Sequence, residues 1–426
     1  MEMRPPSMST ISIGLLAALA LALAPGARAT GATARAHEHR SPAIAHAARR
    51  ARTGATAAAS PFAGRGMWIW YLSASDRGNL RAIIAGARAH HVSTLMVKAG
   101  DGPAAWSQFN PALVATLHAS GLRVCAWQYV YGHQPAAEAR VGATAVAYGA
   151  DCLLIDAESQ YEGKYVAAQT YMAQLRARIG AALPVALAGF PYVDYHPAFP
   201  YSVFLGPGGA QYDAPQMYWV DIGTAVDAVY SHTFAYNRLY GRPIAPIGQV
   251  YDHPRARDIV RFRQLARAYD APGVSWWDWQ EAAPRQWRAL ARPTRWLAGF
   301  TAAWQAPGLG PGSAGDLVVW AQEHLVSAGQ LLRITGTYRR GTVAAVRRFQ
   351  LAHGLIADGV IDAATWQALL AYPAAQVLWT RTGARLPSPY AALHAAVARD
   401  ALVQPVPASA HLHARRDEIP SGVGAG

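Results

Sequence analysis

Cysteine is nearly absent: the chain has two in 426 residues, Cys125 and Cys152. That excludes a disulfide-knit scaffold, and no Cys/His spacing suits a structural zinc. No His-Glu-x-x-His occurs, which removes the metalloprotease helix. Acidic residues are few, 25 against 38 lysines and arginines, for a formal charge of +13. The basic residues are scattered and form no nucleic-acid motif, so no nucleic-acid partner is expected. No glycine-rich phosphate loop follows the first strand-like run, and no cofactor or metal is expected. After the apolar run Ile11 to Ala24 there is no second long one.

That single run follows Arg4, is short for a membrane span, and precedes the small-x-small site Ala27-Arg28-Ala29. Residues 1–29 therefore read as a signal peptide, with an uncleaved anchor as the alternative. The mature protein is expected to be secreted, extracellular or wall-associated, with no integral membrane association after cleavage. Residues 30–63 are rich in Ala, Arg and His, lack periodicity, and are expected to be disordered. Their charge either draws the protein to anionic wall polymers or membrane surfaces, or serves only solubility.

From 64 to 303 one unit recurs: a short apolar or aromatic run, a polar end, then a helix-like segment. The runs begin at Met67, Thr94, Leu122, Cys152, Val185, Ala214, Ile244 and Val274. Their spacing of about thirty residues, over a region near ~250 residues, predicts a (β/α)8 TIM barrel. An open doubly wound sheet is the alternative. Helices are predicted over Asn79–His90, Tyr165–Ile179 and Ala256–Tyr269 from their 3.6-residue apolar spacing. Cys125 and Cys152 fall in successive strands. Two buried free thiols are the expected state, and a disulfide is the alternative. A Pro/Gly linker covers 304–313, a small all-α three-helix domain 314–372, and a mostly disordered tail 373–426, with a helix conceivable over Ala391–Leu402.

Asp156-Ala157-Glu158 ends the fourth run. Residues two apart on a strand share a face, so both carboxylates point one way at the strand's C-terminal end. In a parallel barrel that end is the catalytic face. Two carboxylates there, one protonated and one ionised, are what glycoside hydrolysis requires. The other run ends add Lys98 and Asp101, Gln128 and Tyr131, Tyr192 and Asp194, Gln216, Tyr218 and Asp221, Gln249 and Tyr251, and Asp278 and Gln280. Trp68, Trp70, Trp127, Trp219, Trp276, Trp277 and Trp279 are interleaved. Together they describe a carbohydrate cleft. The plainer alternative is that the tryptophans fill the barrel and the polar residues are solvated loop ends.

The C-terminal segment carries Gly315-Asp316-Leu317-Val318, Gln322, Gly336, Tyr338, Phe349-Gln350, Asp358-Gly359 and Trp366. It resembles the small three-helix peptidoglycan-binding domain of bacterial wall hydrolases. Most of these positions suit folding: Thr342, Val346 and Phe349 share a helix face, and Gly354 and Gly359 suit tight turns. Ile361-Asp362 departs from the family, which usually has a glycine before the last helix.

The barrel resembles the lysozyme-type family 25 glycoside hydrolases and, more loosely, the family 18 chitinase group. Both carry an Asp-x-Glu ending the fourth strand, matched by Asp156 and Glu158. Gln216-Met217-Tyr218-Trp219 and Trp276-Trp277 are similar to family 18 patterns on the sixth and eighth strands. Family 25 has an aspartate in the first strand, where this chain has Trp68-Ile69-Trp70-Tyr71. The resemblance implies Glu158 as general acid/base and Asp156 as the carboxylate that orients an N-acetyl group, with Asp278 or Asp194 as the alternative second carboxylate. Gln216, Tyr218, Trp70, Gln128, Asp194, Asp278 and Trp276 are the candidate substrate-binding residues. The expected partner is peptidoglycan or a related cell-wall glycan. A non-catalytic wall-binding protein and a glycosidase on another polysaccharide are the competing readings.

Overall fold

The computed structural model describes residues 60–385. The signal-peptide reading, the basic segment through residue 59 and the tail from 386, with its helix at Ala391–Leu402, lie outside the described residues.

Eight parallel strands form the barrel: β1 (Gly64–Ile69), β2 (Thr94–Asp101), β3 (Arg123–Val130), β4 (Cys152–Ala157), β5 (Val185–Gly189), β6 (Tyr212–Pro215), β7 (Ile247–Gln249) and β8 (Gly273–Trp277). A helix follows each: α1 (Leu80–Ala89), α2 (Pro111–Ala119), α3 (Pro135–Ala147), α4 (Tyr165–Ile179), α5 (Tyr201–Phe204), α6 (Val226–Asn237), α7 (Ala256–Ala268) and α8 (Pro284–Ala291). Only α5 is cut to a single turn. The expected (β/α)8 barrel is thus the observed fold.

Strand order is β6-β5-β4-β3-β2-β1-β8-β7. The β6–β7 seam closes through two single bridges, Asp213–Ile244 and Gln216–Ile247. Proline explains the weak seam. Pro215, Pro243 and Pro246 offer no N–H to a ladder, so the runs at 214 and 244 yield shorter strands than their apolar lengths suggest.

Strand alternation sorts the core into two layers. Met67, Ile69, Leu95, Val97, Val124, Ala126, Leu153, Ile155, Val185 and Leu187 face the helices and are buried. Their neighbours face the lumen. Cys125 and Cys152 are register partners on β3 and β4, fully buried on the lumen side. They form a disulfide with Cα atoms 4.6 Å apart, which corrects the expectation of free thiols. Direct opposition of the two residues decides the pairing, and a sequence spacing of 27 does not reveal it.

The C-terminal region contributes α9 (Asp316–Ser327), α10 (Arg340–Ala352) and α11 (Ala363–Leu369). Its two glutamines pin the loops. Gln322 accepts from the backbone of Thr335 and Gly336 and donates to Thr342 Oγ1 at 2.9 Å. Gln350 accepts from the Gly359 backbone at 2.9 Å and donates to the Val360 carbonyl and Thr365 Oγ1. Asp358 accepts from Val360 N–H, Gly359 sits at φ 79°, and Phe349 and Trp366 are fully buried. At the departure from the family pattern, Ile361 bridges Leu309 and Asp362 caps α11 by accepting from Thr365 N–H at 2.8 Å. The cap supplies a helix start without glycine.

This region is packed onto the barrel. Asp316, at the start of α9, accepts from Ser202 N–H and Oγ, from Tyr165 OH and from Tyr240 OH. Trp320 Nε1 donates to the Leu239 carbonyl at 2.7 Å. Trp304 Nε1 and Trp366 Nε1 anchor the linker ends, donating to the carbonyls of Ala235 and Pro307. Within the stretch read as mostly disordered, residues 378–385 form a hairpin of β9 (Leu378–Thr380) and β10 (Gly383–Arg385). Trp379 packs on Tyr165 of α4 with ring centroids 4.2 Å apart. Three-residue strands show too little alternation to be read from sequence.

Candidate active site

Asp156 is the last residue but one of β4, and Glu158 stands one residue past its end. Gln216, just beyond Pro215 at the end of β6, bridges them. Its Nε2 donates to Asp156 Oδ1 at 3.0 Å and to Glu158 Oε1 at 3.1 Å. One amide therefore fixes both carboxylates at the barrel's C-terminal mouth. Tyr129, on the lumen face of β3, donates to Gln160 Oε1 at 2.7 Å and more weakly to Glu158 Oε2 at 3.4 Å.

Asp156 is buried. Its carboxyl is pushed well above the usual range, first by desolvation and then by the charge of Glu158, with Lys98 and the Gln216 amide pulling the other way. Glu158 is also raised by desolvation, against the hydrogen bonds of Gln216 and Tyr129. The pair thus favours holding a proton, the state an acid catalyst needs.

Lys98 supplies the nearby positive charge. It is buried, pairs with Asp101 Oδ2 at 2.6 Å, and lies 4.4 Å, 4.9 Å and 5.2 Å from the ring centroids of Trp106, Trp127 and Trp70. Tyr131 OH donates to the other Asp101 oxygen at 2.7 Å.

The tryptophans divide by strand parity. Trp68, Trp127 and Trp277 fill the lumen beneath the carboxylates, with mutual centroid distances of 5.3 to 5.6 Å. Trp68 and Trp127 donate to Ser275 Oγ and the Ile69 carbonyl. Trp276 points outward against Phe262 of α7 and is fully buried. Trp219 also packs on Phe262, and Trp279 on Trp287 of α8. Only Trp70 of the seven keeps an exposed edge, stacked on Tyr71 at 5.2 Å, and Trp106 tilts against Tyr71 at the same distance.

Two candidate binding residues are therefore corrected. Trp276 belongs to the strand–helix layer. So does Gln128, fully buried, with Nε2 donating to the carbonyls of Gly102 and Glu138 and Oε1 accepting from Tyr171. Each sits between two lumen-facing residues, so alternation places it on the opposite face. The same rule applied one residue along finds Tyr129, which the run ends did not single out, and favours Trp277 over Trp276.

Asp194 lies in the loop after β5, paired with His232 of α6 at 2.7 Å, and none of its hydrogen bonds reaches the carboxylate pair. Asp278 is buried after β8; its Oδ1 accepts a 3.3 Å bond from Glu281 N–H, its Oδ2 has no partner, and desolvation pushes its carboxyl up to about 8. Tyr218 packs edge-on against Tyr251 with ring centroids 5.5 Å apart, and its hydroxyl is raised first by burial and then by Tyr251, Asp156, Glu158 and Asp278. Gln249 and Tyr251 both hydrogen-bond Asp221, and Gln280 accepts from Tyr71 N–H. Among the described residues no group of three or more His, Cys, Asp or Glu is placed to hold a metal ion, and no helix is long and apolar enough to cross a membrane.

Residues 314–369 match the family model described as a peptidoglycan binding domain. No curated protein matches the chain in sequence. Among solved structures, the chitinase from Chromobacterium violaceum ATCC 12472 is 13% identical over 54% of this chain and 98% of its own, with a TM-score of 0.38. The Bacillus cereus spore cortex-lytic enzyme SleL is 11% identical over 55% of this chain and 75% of its own, with a TM-score of 0.40.

Proposed function

We propose that the protein is a cell-wall glycoside hydrolase, exported to the wall, that holds peptidoglycan through its C-terminal module and cuts a glycosidic bond at the barrel mouth. The carrying observation is the Gln216 amide donating to Asp156 and Glu158 together. Lys98, the nearby cation, pairs with Asp101 and not with either of them. Two desolvated carboxylates sharing one amide instead create a site where one oxygen acid stays protonated beside an acceptor.

In this reading Glu158, the more exposed of the two, protonates the leaving glycosidic oxygen and then activates water. Asp156 orients the N-acetyl group of the sugar, whose carbonyl oxygen attacks the anomeric carbon, and it stabilises the positive charge that forms. Gln216 and Tyr218 hold that acetamido group. Attack by the acetamido oxygen, and then by water on the resulting intermediate, inverts the anomeric carbon twice. This supports retention of configuration. Trp70, Tyr71 and Trp106 offer an aromatic rim for the apolar faces of sugar rings.

Release of reducing ends from purified peptidoglycan and chitin oligomers, by wild type and Glu158→Gln side by side, tests the proposal. Release that vanishes in the variant supports it. No release by wild type, with wall pull-down intact, overturns it in favour of a binding protein with a degenerate barrel.

A further inference from the structure

The peptidoglycan reading leaves open which part of that polymer the module grips, and the charge on α10 narrows it. Arg339, Arg340, Arg347 and Arg348 are exposed around a groove of about 1,020 Å3. Its floor includes Val343 and Ala344, so it is apolar and small-sided between two arginine pairs. None of the four arginines takes part in an ion pair among the described residues. Of the module's four acids, Asp316 and Glu323 are buried; Asp358 and Asp362 are exposed but pair with no arginine, and Arg347 Nε meets only the Asp358 backbone carbonyl, at 3.3 Å.

Arg340 and Arg347 are two helical turns apart and share a face, about 10 Å along the axis. An extended peptide advances ~3.3 Å per residue, so that distance spans about three residues. Sugar rings offer hydroxyls and apolar faces but no anion to match guanidinium forks; carboxylates match them bidentately. We infer that this groove binds a short extended acidic peptide, with carboxylates about three residues apart and small side chains between them. In peptidoglycan that chemistry belongs to the stem peptide, not the glycan strand. The inference rests on the module's assignment to peptidoglycan and is independent of catalysis.

The test uses the full chain and the doubly substituted Arg340→Glu/Arg347→Glu protein, whose changes lie on an exposed face. Binding is measured to purified sacculi, to the same sacculi stripped of stem peptides by an amidase, and to sacculi cleared of phosphodiester polymers by acid. A synthetic acidic tetrapeptide serves as competitor. The expected result is binding to intact and acid-cleared sacculi, loss on stripped ones, competition by the tetrapeptide, and weakening by about tenfold or more in the variant. Equal binding to stripped sacculi would show that the module reads the glycan strand, with the lactyl carboxylates that the amidase frees, and not the stem peptide. Binding lost on acid clearing would assign the groove to a phosphodiester polymer. Unchanged binding by a variant with wild-type melting would remove the groove from recognition. Hydrolysis of soluble, stem-free chitin oligomers is followed in parallel, so failure of the enzyme reading is seen separately.

Discussion

Two regions of this molecule hold buried carboxylates that their hydrogen-bond donors set apart. At the seam between barrel and module, Asp316 accepts from four donors and its carboxyl is raised only to about 6. At the mouth, Asp156 accepts from one shared amide beside a second carboxylate and is raised well above its ordinary value. Asp213, with Asn237 as its side-chain donor, lies between at about 7, and Asp278, with one long backbone bond, reaches about 8. Desolvation is the leading cause in all four. What varies is how many N–H and O–H groups aim at the ionised form. A carboxylate with abundant donors holds structure together. One with too few holds its proton to higher pH.

The largest expected effect tests the mouth. Glu158→Gln keeps the shape and removes the proton donor, so kcat on a soluble oligosaccharide should fall by about a thousandfold. Wall binding and melting temperature should stay at wild-type levels, because glutamine keeps the size and the hydrogen-bonding oxygen of the side chain. A drop in stability as large as the drop in rate would erase the distinction between the two regions.

Asp316→Ala is the mirror experiment. It strands the donors of Ser202, Tyr165 and Tyr240 at a buried seam, a loss of about 3 kcal/mol of stability. Denaturant unfolding measures it, and kcat on soluble oligomers should change little. Melting at the wild-type temperature would show that the module does not depend on this anchor.

Most of the barrel was legible in the sequence because eight apolar runs at regular spacing leave few other closures. The β6–β7 seam was less so, since Pro243 and Pro246 break a ladder that the apolar pattern alone suggests is continuous. At the site, parity from Asp156 to Glu158 indicated a common face, and the structure joins that face to Gln216. Reading whole run ends as cleft residues, without parity, is what misassigned Gln128 and Trp276. The seam could not be read at all: Asp316 belongs to the module's motif, and nothing in its neighbourhood in sequence names Ser202 or Tyr240, more than seventy residues away.

The next effect is pH-dependent stability. The folded value of Asp316, about 6, lies above the ~3.9 of an unfolded aspartate. The fold therefore favours the protonated form. That contribution is fully present below about pH 4 and is lost as pH rises through about 6, a change of about 3 kcal/mol. Asp213 and Asp278 extend the same trend to about 7 and about 8. Unfolding free energy should decline from pH 5 to pH 8, and Asp316→Asn should remove the portion between about 4 and about 6. A protein that grows more stable over that range would contradict the donor ordering.

The smallest expected effect, a shift rather than a loss, is the most specific. In Gln216→Ala both mouth carboxyls lose the amide that favours their ionised forms. Each should then hold its proton to higher pH. The alkaline limb of kcat/KM, set by deprotonation of the acid, moves up, and the acidic limb, set by protonation of its partner, moves up with it. Because the pair is coupled, both limbs report the pair and not one residue. A glutamine that only positions the substrate would lower kcat and leave both limbs in place. Limbs that stay fixed, or move down, would show that the mouth carboxylates draw their proton affinity from something other than this shared donor.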